Sequence, residues 1–315
     1  MTRLTLISIF ILVANFALNN QVDAQAKMSE VKTFNQLEKI VQRLDKKNHS
    51  KTLVVMDDDD TLTMMRCEYQ GKPKDCQYLG GPAWYSWQEN LLSTQSKYKV
   101  ANSSTELLDI AALLLAMNDM DYTEKAIPEV LHKLTLSGVK LLVLTARGSS
   151  NLSATSSQFS KLFVGDSDKK QTFLDLINRN ALTGDKSGIA SIASPFQPSD
   201  CNAQRPVSYQ QGIMYVAGQN KGEMLLCLLN RASSTEIRNI IFIDDTLKNV
   251  KDVYHSFKDK SEYDVDALHY TALQHHKEAL TNGSKAETYQ KNAQARWQAI
   301  RTTLKNELKK PAVNY

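Results

Sequence analysis

The stretch Leu53-Val54-Val55-Met56-Asp57-Asp58-Asp59-Asp60-Thr61-Leu62-Thr63 decides how this 315-residue chain is organised. Residues 52–56 make an apolar run, as expected of a parallel strand that is buried on both faces. The run ends in four consecutive aspartates, whose carboxylates repel one another and are costly to hold at the edge of a core. A folded protein tolerates such a run when a cation neutralises it, so residues 57–60 are a candidate metal-centred site.

Two later apolar runs end in polar residues in the same way. Val139–Leu144 is followed by Thr145-Ala146-Arg147-Gly148, and Asn239–Ile243 is followed by Asp244-Asp245. Ligands of an open α/β sheet bind just beyond the C-terminal ends of its strands. The three polar strand ends therefore predict one shared site.

Helical patterns alternate with these strands, which predicts an α/β fold with a parallel sheet between two layers of helices. The predicted helices cover residues 33–46, 128–136 and 221–230. Further strands are expected at Gly212–Val216 and Asp266–Leu273, and a polar helix at about Lys285–Leu308.

Two intervals are too long to be simple connections and predict insertions at the site face. Residues 64–125 are expected to form a cap insertion, and residues 149–212 a loop-rich insertion. The core is then expected to comprise residues 27–63 and 126–315. The Trp84-Tyr85-Ser86-Trp87 cluster belongs either to the core of the cap or to a substrate platform, and the apolar helix Leu107–Met117 to cap packing.

The N-terminal segment has the pattern of a cleaved signal peptide over residues 1–26. Arg3 precedes an apolar run at Leu4–Leu18, and Ala24-Gln25-Ala26 forms a small-x-small cleavage site. A membrane anchor is the alternative, but the run is short for a span, which needs about 20 residues. The chain is therefore expected to be exported, to the periplasm or beyond, with no stable membrane insertion.

The net charge bears on the class of binding partner, and the cysteines bear on disulfide bonding. A net charge of +4 with scattered basic residues does not argue for nucleic acid. Export permits disulfides among the four cysteines, and a local Cys67–Cys76 bridge fits the turn between them, although sequence cannot choose the pairing. Cys227 lies in an apolar helical stretch and is expected to be a buried free thiol.

The pattern Asp57-x-Asp59-x-Thr61-Leu62 after an apolar strand resembles the first motif of the haloacid dehalogenase (HAD) superfamily. Thr145, Lys221 within residues 218–222, and Asp244-Asp245 followed by Asn249 are similar to its second, third and fourth motifs, in the same order. The resemblance covers roughly residues 50–255. More narrowly, residues 84–88 and 218–222 resemble a family of exported bacterial HAD-like proteins of unassigned function.

The resemblance implies a HAD-like Rossmannoid sandwich with cap insertions that hydrolyses phosphate monoesters. Asp57 would be the nucleophile, forming an acyl phosphate that divides a slow reaction into two easier steps. Asp59, on the same face of an extended segment, would protonate the leaving oxygen and then activate water. Thr145, Ala146 and Lys221 would bind the phosphate, with Lys221 also offsetting the charge of Asp57.

Mg²⁺ is the expected cofactor, because the candidate ligands are all hard oxygens with no histidine or cysteine cluster beside them. The ligands would be Asp57, the backbone carbonyl of Asp59 and one of Asp244 and Asp245. The resemblance favours Asp245 as the direct ligand, with Asp244 behind it, and the sequence hardly separates the two. Asn249, one helical turn later, is expected to orient one of these carboxylates.

Other residues have plainer interpretations. Asp58 and Asp60 carry no assigned chemistry, and position 58 is expected to tolerate asparagine. Arg147 either contacts substrate or forms a surface pair, and His275-His276 is expected at the surface. An EF-hand calcium loop is disfavoured because Leu62 stands where that loop needs glycine and a strand is expected before it instead of a helix.

The leading hypothesis is an exported, Mg²⁺-dependent phosphohydrolase acting on a small-molecule phosphate monoester. The alternative is a secreted binding or host-interaction protein that keeps the HAD scaffold with little turnover. A third reading changes the reaction to phosphoryl transfer or phosphonate cleavage, for which Lys72, Lys74 and Lys97 are the lysines of the first insertion. Substrate identity and oligomeric state are not encoded in any pattern of the chain.

Overall fold

The computed structural model describes residues 25–66, 78–165, 171–184, 191–192, 202–232 and 234–308. The strands of these residues, in chain order, are β1 (Ala26–Val31), β2 (Thr52–Met56), β3 (Thr63–Met65), β4 (Met120–Tyr122), β5 (Lys140–Thr145), β6 (Phe163–Val164), β7 (Gln171–Thr172), β8 (Ser208–Gln210), β9 (Ile213–Tyr215), β10 (Asn239–Asp244) and β11 (Asp264–Tyr270). The helices are α1 (Phe34–Gln42), α2 (Pro82–Leu91), α3 (Ser104–Ala116), α4 (Ile127–Leu136), α5 (Leu152–Phe159), α6 (Phe173–Asn180), α7 (Lys221–Arg231), α8 (Leu247–Phe257), α9 (Gln274–Lys277) and α10 (Ala286–Glu307).

A seven-stranded sheet in the order β1-β11-β10-β2-β5-β9-β8 forms the centre of the molecule. All neighbours in it run parallel except β8, which pairs antiparallel with β9. The three strands with polar ends, β10, β2 and β5, are adjacent, so their C-terminal ends meet at one edge. The predicted α/β class with a mostly parallel sheet is confirmed.

Helices cover both faces of the sheet, because side chains alternate along each buried strand. Val54 and Met56 of β2 contribute to a cluster with residues of α1, α4 and α6, whereas Leu53 and Val55 contribute to one with residues of α7 and α8. The close approach of α7 to α8 depends on Gly222, where a Cβ would collide with the backbone oxygen of Asp252. This packing fixes the start of α7, and with it Lys221, over the edge of the sheet.

A third hydrophobic cluster joins the inserted segment to the C-terminal helix. Trp84 and Trp87 of α2 and Leu107, Ile110 and Leu114 of α3 share this cluster with Ala293 and Trp297 of α10. Both tryptophans of α2 are at most 5% exposed, so of the two interpretations of this cluster their burial favours packing over a substrate platform.

Helix and strand positions agree with the sequence prediction apart from small shifts at their ends. Pro128 lies in the first turn of α4, and Gly138 follows its end with a φ of +90°, as expected. The final helix begins at Ala286, and the strand expected at 266–273 lies at Asp264–Tyr270.

Several elements were not predicted, among them β1, α5 and α6. The edge strand β1 had no sequence signal, and the interval 149–212 holds two helices, α5 and α6, in a region expected to be loop-rich. Phe159, Phe173 and Ile177 of these helices are fully buried in the core cluster. This part of the second insertion therefore belongs to the helical layer.

Cys227 is disulfide-bonded, so the prediction of a free thiol is wrong. The apolar sequence around Cys227 correctly indicates a buried residue, at 1% exposure, but a half-cystine is buried as readily as a free thiol. Cys67, Cys76 and Cys201, like residues 1–24 of the expected signal peptide, lie outside the described residues. Within the described ranges, no helix has both the length and the apolar character needed to cross a bilayer.

Candidate active site and metal centre

The predicted motif residues meet at the C-terminal edge of the sheet. Asp57 follows β2, Thr145 and Asp244 end β5 and β10, and Lys221 begins α7. The backbone N–H of Asp57 donates to the carbonyl of Ile243 at 2.9 Å, which extends the β2–β10 pairing to the first aspartate. Parallel pairing of adjacent strands thus brings together residues that are nearly 190 positions apart in the chain.

Lys221 is a fully buried cation between two carboxylates. Its Nζ donates to Oδ1 of Asp57 and, at 2.7 Å, to Oδ2 of Asp244. Burial alone lowers the pKa of Lys221, but the charges of Asp244 and Asp57 outweigh it and hold the pKa above its ordinary value. Burial and the charge of Asp244 raise the pKa of Asp57 to about 7, against the opposing effect of Lys221. An ionised Asp57 at neutral pH therefore calls for more positive charge than this lysine supplies.

The second aspartate, Asp58, anchors the loop that carries the run. It is fully buried, and its backbone oxygen accepts N–H groups from residues 61, 62 and 63. Its side chain accepts a hydrogen bond from Thr63 Oγ1 at 2.6 Å and forms an ion pair at 2.9 Å with Arg147 Nη1 that lacks hydrogen-bond alignment. Burial raises the pKa of Asp58 to about 7, although the charge of Arg147 lowers it. The expectation that position 58 tolerates asparagine is therefore revised.

Arg147 is buried inside the site, so the reading of it as a surface pair is wrong. Only 7% of the residue is exposed. Its Nε and Nη2 donate to the two carboxylate oxygens of Asp59 at 2.8 and 2.6 Å, a bidentate pair. The side chain of Asp59 remains 24% exposed, the largest exposure among the acids with an ion pair at this edge. Asp59 is thus both fixed and accessible.

The fourth aspartate, Asp60, occupies the left-handed backbone region with φ +60°, where glycine is usual and aspartate is tolerated. The residue is 1% exposed, and neither carboxylate oxygen has a hydrogen-bond partner among the described residues. Burial, followed by the charge of Asp245, raises the pKa of Asp60 well above its ordinary value. The surroundings of Asp60 therefore favour the protonated form of its carboxyl group.

His276 of α9 faces Asp60, so the prediction of a surface histidine is wrong at this position. Its Nε2 lies 3.9 Å from Asp60 Oδ1, and its ring centroid lies 4.8 Å from that of Tyr78. The side chain is 9% exposed, and burial lowers its pKa to about 4. His275, its neighbour, is exposed as expected.

The acidic pair at the end of β10 is held from several sides. Asn249 Nδ2 donates to both oxygens of Asp244 at 3.1 and 3.0 Å, the orienting role expected of it. Lys277 Nζ donates to Asp245 Oδ2 at 2.7 Å and to Thr246 Oγ1 at 2.6 Å. Asp244 is fully enclosed, whereas the side chain of Asp245 keeps 10% exposure.

The second motif offers a hydroxyl to the site. Thr145 is 1% exposed, and its Oγ1 accepts the N–H of Arg147 at 3.2 Å, which leaves the hydroxyl hydrogen for another acceptor. Ala146 is exposed next to it, and its carbonyl accepts the N–H of Gly218 at 2.9 Å. This hydrogen bond joins the loop after β5 to the loop after β9.

The carboxylates fit a metal ion. Asp57, Asp244 and Asp245 each offer one oxygen, and these three atoms lie within 4.8 Å of one another. Among the described residues, the ion pairs of the six aspartates 57–60, 244 and 245 with basic side chains involve three cations, Arg147, Lys221 and Lys277, besides the neutral His276. A divalent cation would offset most of the remaining negative charge, and carboxylate oxygens are ligands for hard cations.

Sequence reasoning missed the basic residues that α9 brings to the site. Lys277 and His276 come from a four-residue helix after β11, and no spacing relates them to the motifs. Gln158, which contacts Arg147, lay in the interval expected to be loop-rich. These three residues belong to the site only because the fold brings them close to the aspartates.

Comparison with known proteins yields one family and no curated relative. No curated protein matches the sequence. The family described as "Protein of unknown function (DUF2608)" matches residues 30–310, which include every residue of the site. The chain belongs to the DUF2608 family.

Proposed function

We propose that the protein is an exported, Mg²⁺-dependent phosphohydrolase of the HAD type that cleaves small-molecule phosphate monoesters through an aspartyl-phosphate intermediate. The observation that carries the proposal is the contact of Asp57 with the buried Lys221, beside the oxygens of Asp244 and Asp245. A carboxylate at a strand end, flanked by a fixed cation and a metal-competent acid pair, suits attack on an anionic ester.

Two displacements at phosphorus complete the reaction. First, a carboxylate oxygen of Asp57 bonds to phosphorus while the bond to the leaving oxygen breaks, and Asp59 gives that oxygen a proton. Then a water oxygen bonds to phosphorus, its proton passes to Asp59, and the bond from phosphorus to Asp57 breaks to release phosphate. Lys221 and the hydroxyl of Thr145 bind the phosphoryl oxygens, with Ala146 at the mouth.

Mg²⁺ would be held by Asp57, Asp245 and the backbone carbonyl of Asp59, with Asp244 behind them. When bound, it shields the negative charges of the nucleophile and the phosphate from each other and acts as a Lewis acid. Burial and neighbouring carboxylates raise the pKa of Asp57, and the positive charge of the metal would lower it. Asp244 is fully enclosed and already accepts hydrogen bonds from Lys221 and Asn249, so Asp245 is the better candidate for the direct ligand.

A substrate panel tests the proposal. The chain purified after export should hydrolyse a generic aryl phosphate when Mg²⁺ is present, and Asp57→Asn should lower the rate by about a thousandfold or more. Asp109→Asn, at an exposed position of α3, is the matched control and should keep full activity. A folded, metal-binding chain that turns over no ester of a broad panel would refute the proposal.

The same experiments separate the alternatives. A binding protein on this scaffold would take up phosphate or Mg²⁺ without turnover and retain a stable protein partner. A phosphonate-cleaving enzyme needs a buried lysine, but Lys97 is exposed, with Nζ 5.1 Å from the ring centroid of Tyr98. Lys72 and Lys74 lie outside the described residues. Export is checked by N-terminal sequencing, with residue 27 as the expected first residue of the mature chain.

A further inference from the structure

Arg147 makes more contacts than charge balance in the site requires. Besides the bidentate pair with Asp59, its Nη1 donates to Thr155 Oγ1 at 2.9 Å and to Gln158 Oε1 at 3.0 Å. The guanidinium is thus held by groups on its far side as well as by the carboxylate it contacts. A planar fork held in this way orients its partner as well as neutralising it.

Gln158 extends this contact to the inserted segment. Its Nε2 donates to the backbone oxygens of Leu115 at 2.9 Å and Asn118 at 3.0 Å, where α3 ends. Gln158 is only 3% exposed, so little solvent competes for these bonds. A continuous chain of hydrogen bonds therefore runs from the end of α3 through Gln158 and Arg147 to Asp59.

We propose that Arg147 is a positioning residue that aims the carboxylate of Asp59 at the leaving oxygen, and that Gln158 couples this arginine to the end of α3. The inference rests on the proposed phosphohydrolase function and adds to it a residue that none of the four motif positions includes. Through these contacts the inserted segment would help to orient the carboxylate that transfers the proton.

The geometry leaves Asp59 able to move a proton. The two N–H groups of Arg147 face the side of the carboxylate that lies between its oxygens. Each oxygen keeps a lone pair on the opposite side, and the 24% exposure of the side chain shows that part of it is open. The proton passes on that side, to the leaving oxygen as its bond to phosphorus breaks and from water as its oxygen bonds to phosphorus.

The test measures how the rate depends on the leaving group. Wild type, Arg147→Lys and Gln158→Met are compared on phosphate monoesters that range from 2,4-dinitrophenyl phosphate to a simple alkyl phosphate. General acid catalysis contributes about 10²–10⁴-fold where the leaving oxygen needs a proton, and little where it does not. Both variants should therefore lose at least about tenfold more rate on the alkyl ester than on the dinitrophenyl ester.

Two controls separate positioning from folding. Arg66→Lys, in an exposed pair with Asp119 and Asp121, should leave the ratio of the two rates unchanged. In an Asp59→Asn background, Arg147→Lys should change the ratio no further, because the arginine acts through Asp59. Gln158→Met keeps both charges of the Arg147–Asp59 pair, so it remains informative if Arg147→Lys fails to fold.

The possible outcomes are distinct. Equal loss on all esters, or no loss, in a folded variant overturns the positioning role while the phosphohydrolase function stands. A wild-type chain that turns over no ester refutes the proposed function, and the inference with it.

Discussion

His276 should make the folded protein lose stability as the pH falls below 6.5. The unfolded chain takes up a proton at the ordinary histidine pKa of 6.5, whereas burial lowers the pKa in the folded chain to about 4. Between these values only the unfolded state is protonated, so acid favours unfolding. The contribution of His276 is fully present above pH 6.5 and is lost as the pH falls towards 4.

The magnitude follows from the size of the shift. One pKa unit corresponds to about 1.4 kcal/mol, so the loss reaches about 3 kcal/mol below pH 4 and about 2 kcal/mol at pH 5. The groups beside the imidazole ring of His276 do not offset this loss of stability. Burial raises the pKa of Asp60 and so favours its uncharged form, and the ring of Tyr78 lies at 38° to the imidazole.

The assay is urea denaturation of wild type, His276→Gln and His275→Gln at pH 7.5 and pH 5. Other titrating groups contribute to all three proteins, so the comparison isolates one imidazole. The stability difference between wild type and His276→Gln should shift by about 2 kcal/mol in favour of the variant on going to pH 5. For His275→Gln, at an exposed position, the difference should stay constant. A constant difference for His276→Gln as well would refute the assignment of a buried neutral imidazole.

Two other substitutions test the site directly. Asp58→Asn should lower the free energy of unfolding by about 2 kcal/mol, because it removes the carboxylate that pairs with the buried Arg147. The control Asp109→Asn should change it by less than about 0.5 kcal/mol. Equal urea midpoints for the two variants would contradict this expectation. Mg²⁺ at about a hundred times its dissociation constant should stabilise the wild type by about 2.7 kcal/mol. Asp245→Asn should weaken that effect in a thermal titration and the exposed Asp259→Asn should not, while a wild type indifferent to divalent cations would argue against a metal centre.

The parts of the fold that sequence predicts are those where local pattern and burial coincide. β2, β5 and β10 are buried on both faces, so each is a continuous apolar run. The edge strand β1 buries only Ala26 and Val31, and its four middle residues are exposed, so it leaves no periodic signal. Its pairing with β11 is a property of the sheet rather than of its own residues.

The helix α6 shows a signal that was present and missed. Phe173, Leu176 and Ile177 recur at helical spacing, and the side chain of Thr172 caps the helix by accepting the N–H of Asp175. The polar composition around this segment outweighed a local pattern that was sufficient to identify the helix.

The candidate site divides in the same way. Asp57, Thr145, Lys221 and Asp244 are recognisable because each stands at a strand end or a helix start. Arg147 was noticed, but its partner was not, because the ion pair with Asp59 spans 88 residues. Lys277 and His276 reach the acids only through the return of the chain after β11, and nothing in their neighbourhood announces it.

The cluster that joins α2 and α3 to α10 has a consequence for the order of synthesis. Trp84 and Leu107 leave the ribosome long before Trp297, the residue that completes their cluster. Until the last helix exists, the apolar faces of the inserted helices stay uncovered and open to aggregation. Contacts between such distant parts of a chain also form slowly, because the long loop must close first. A chain truncated before residue 286 should therefore expose this surface to chaperones and proteases even though every motif residue is already made.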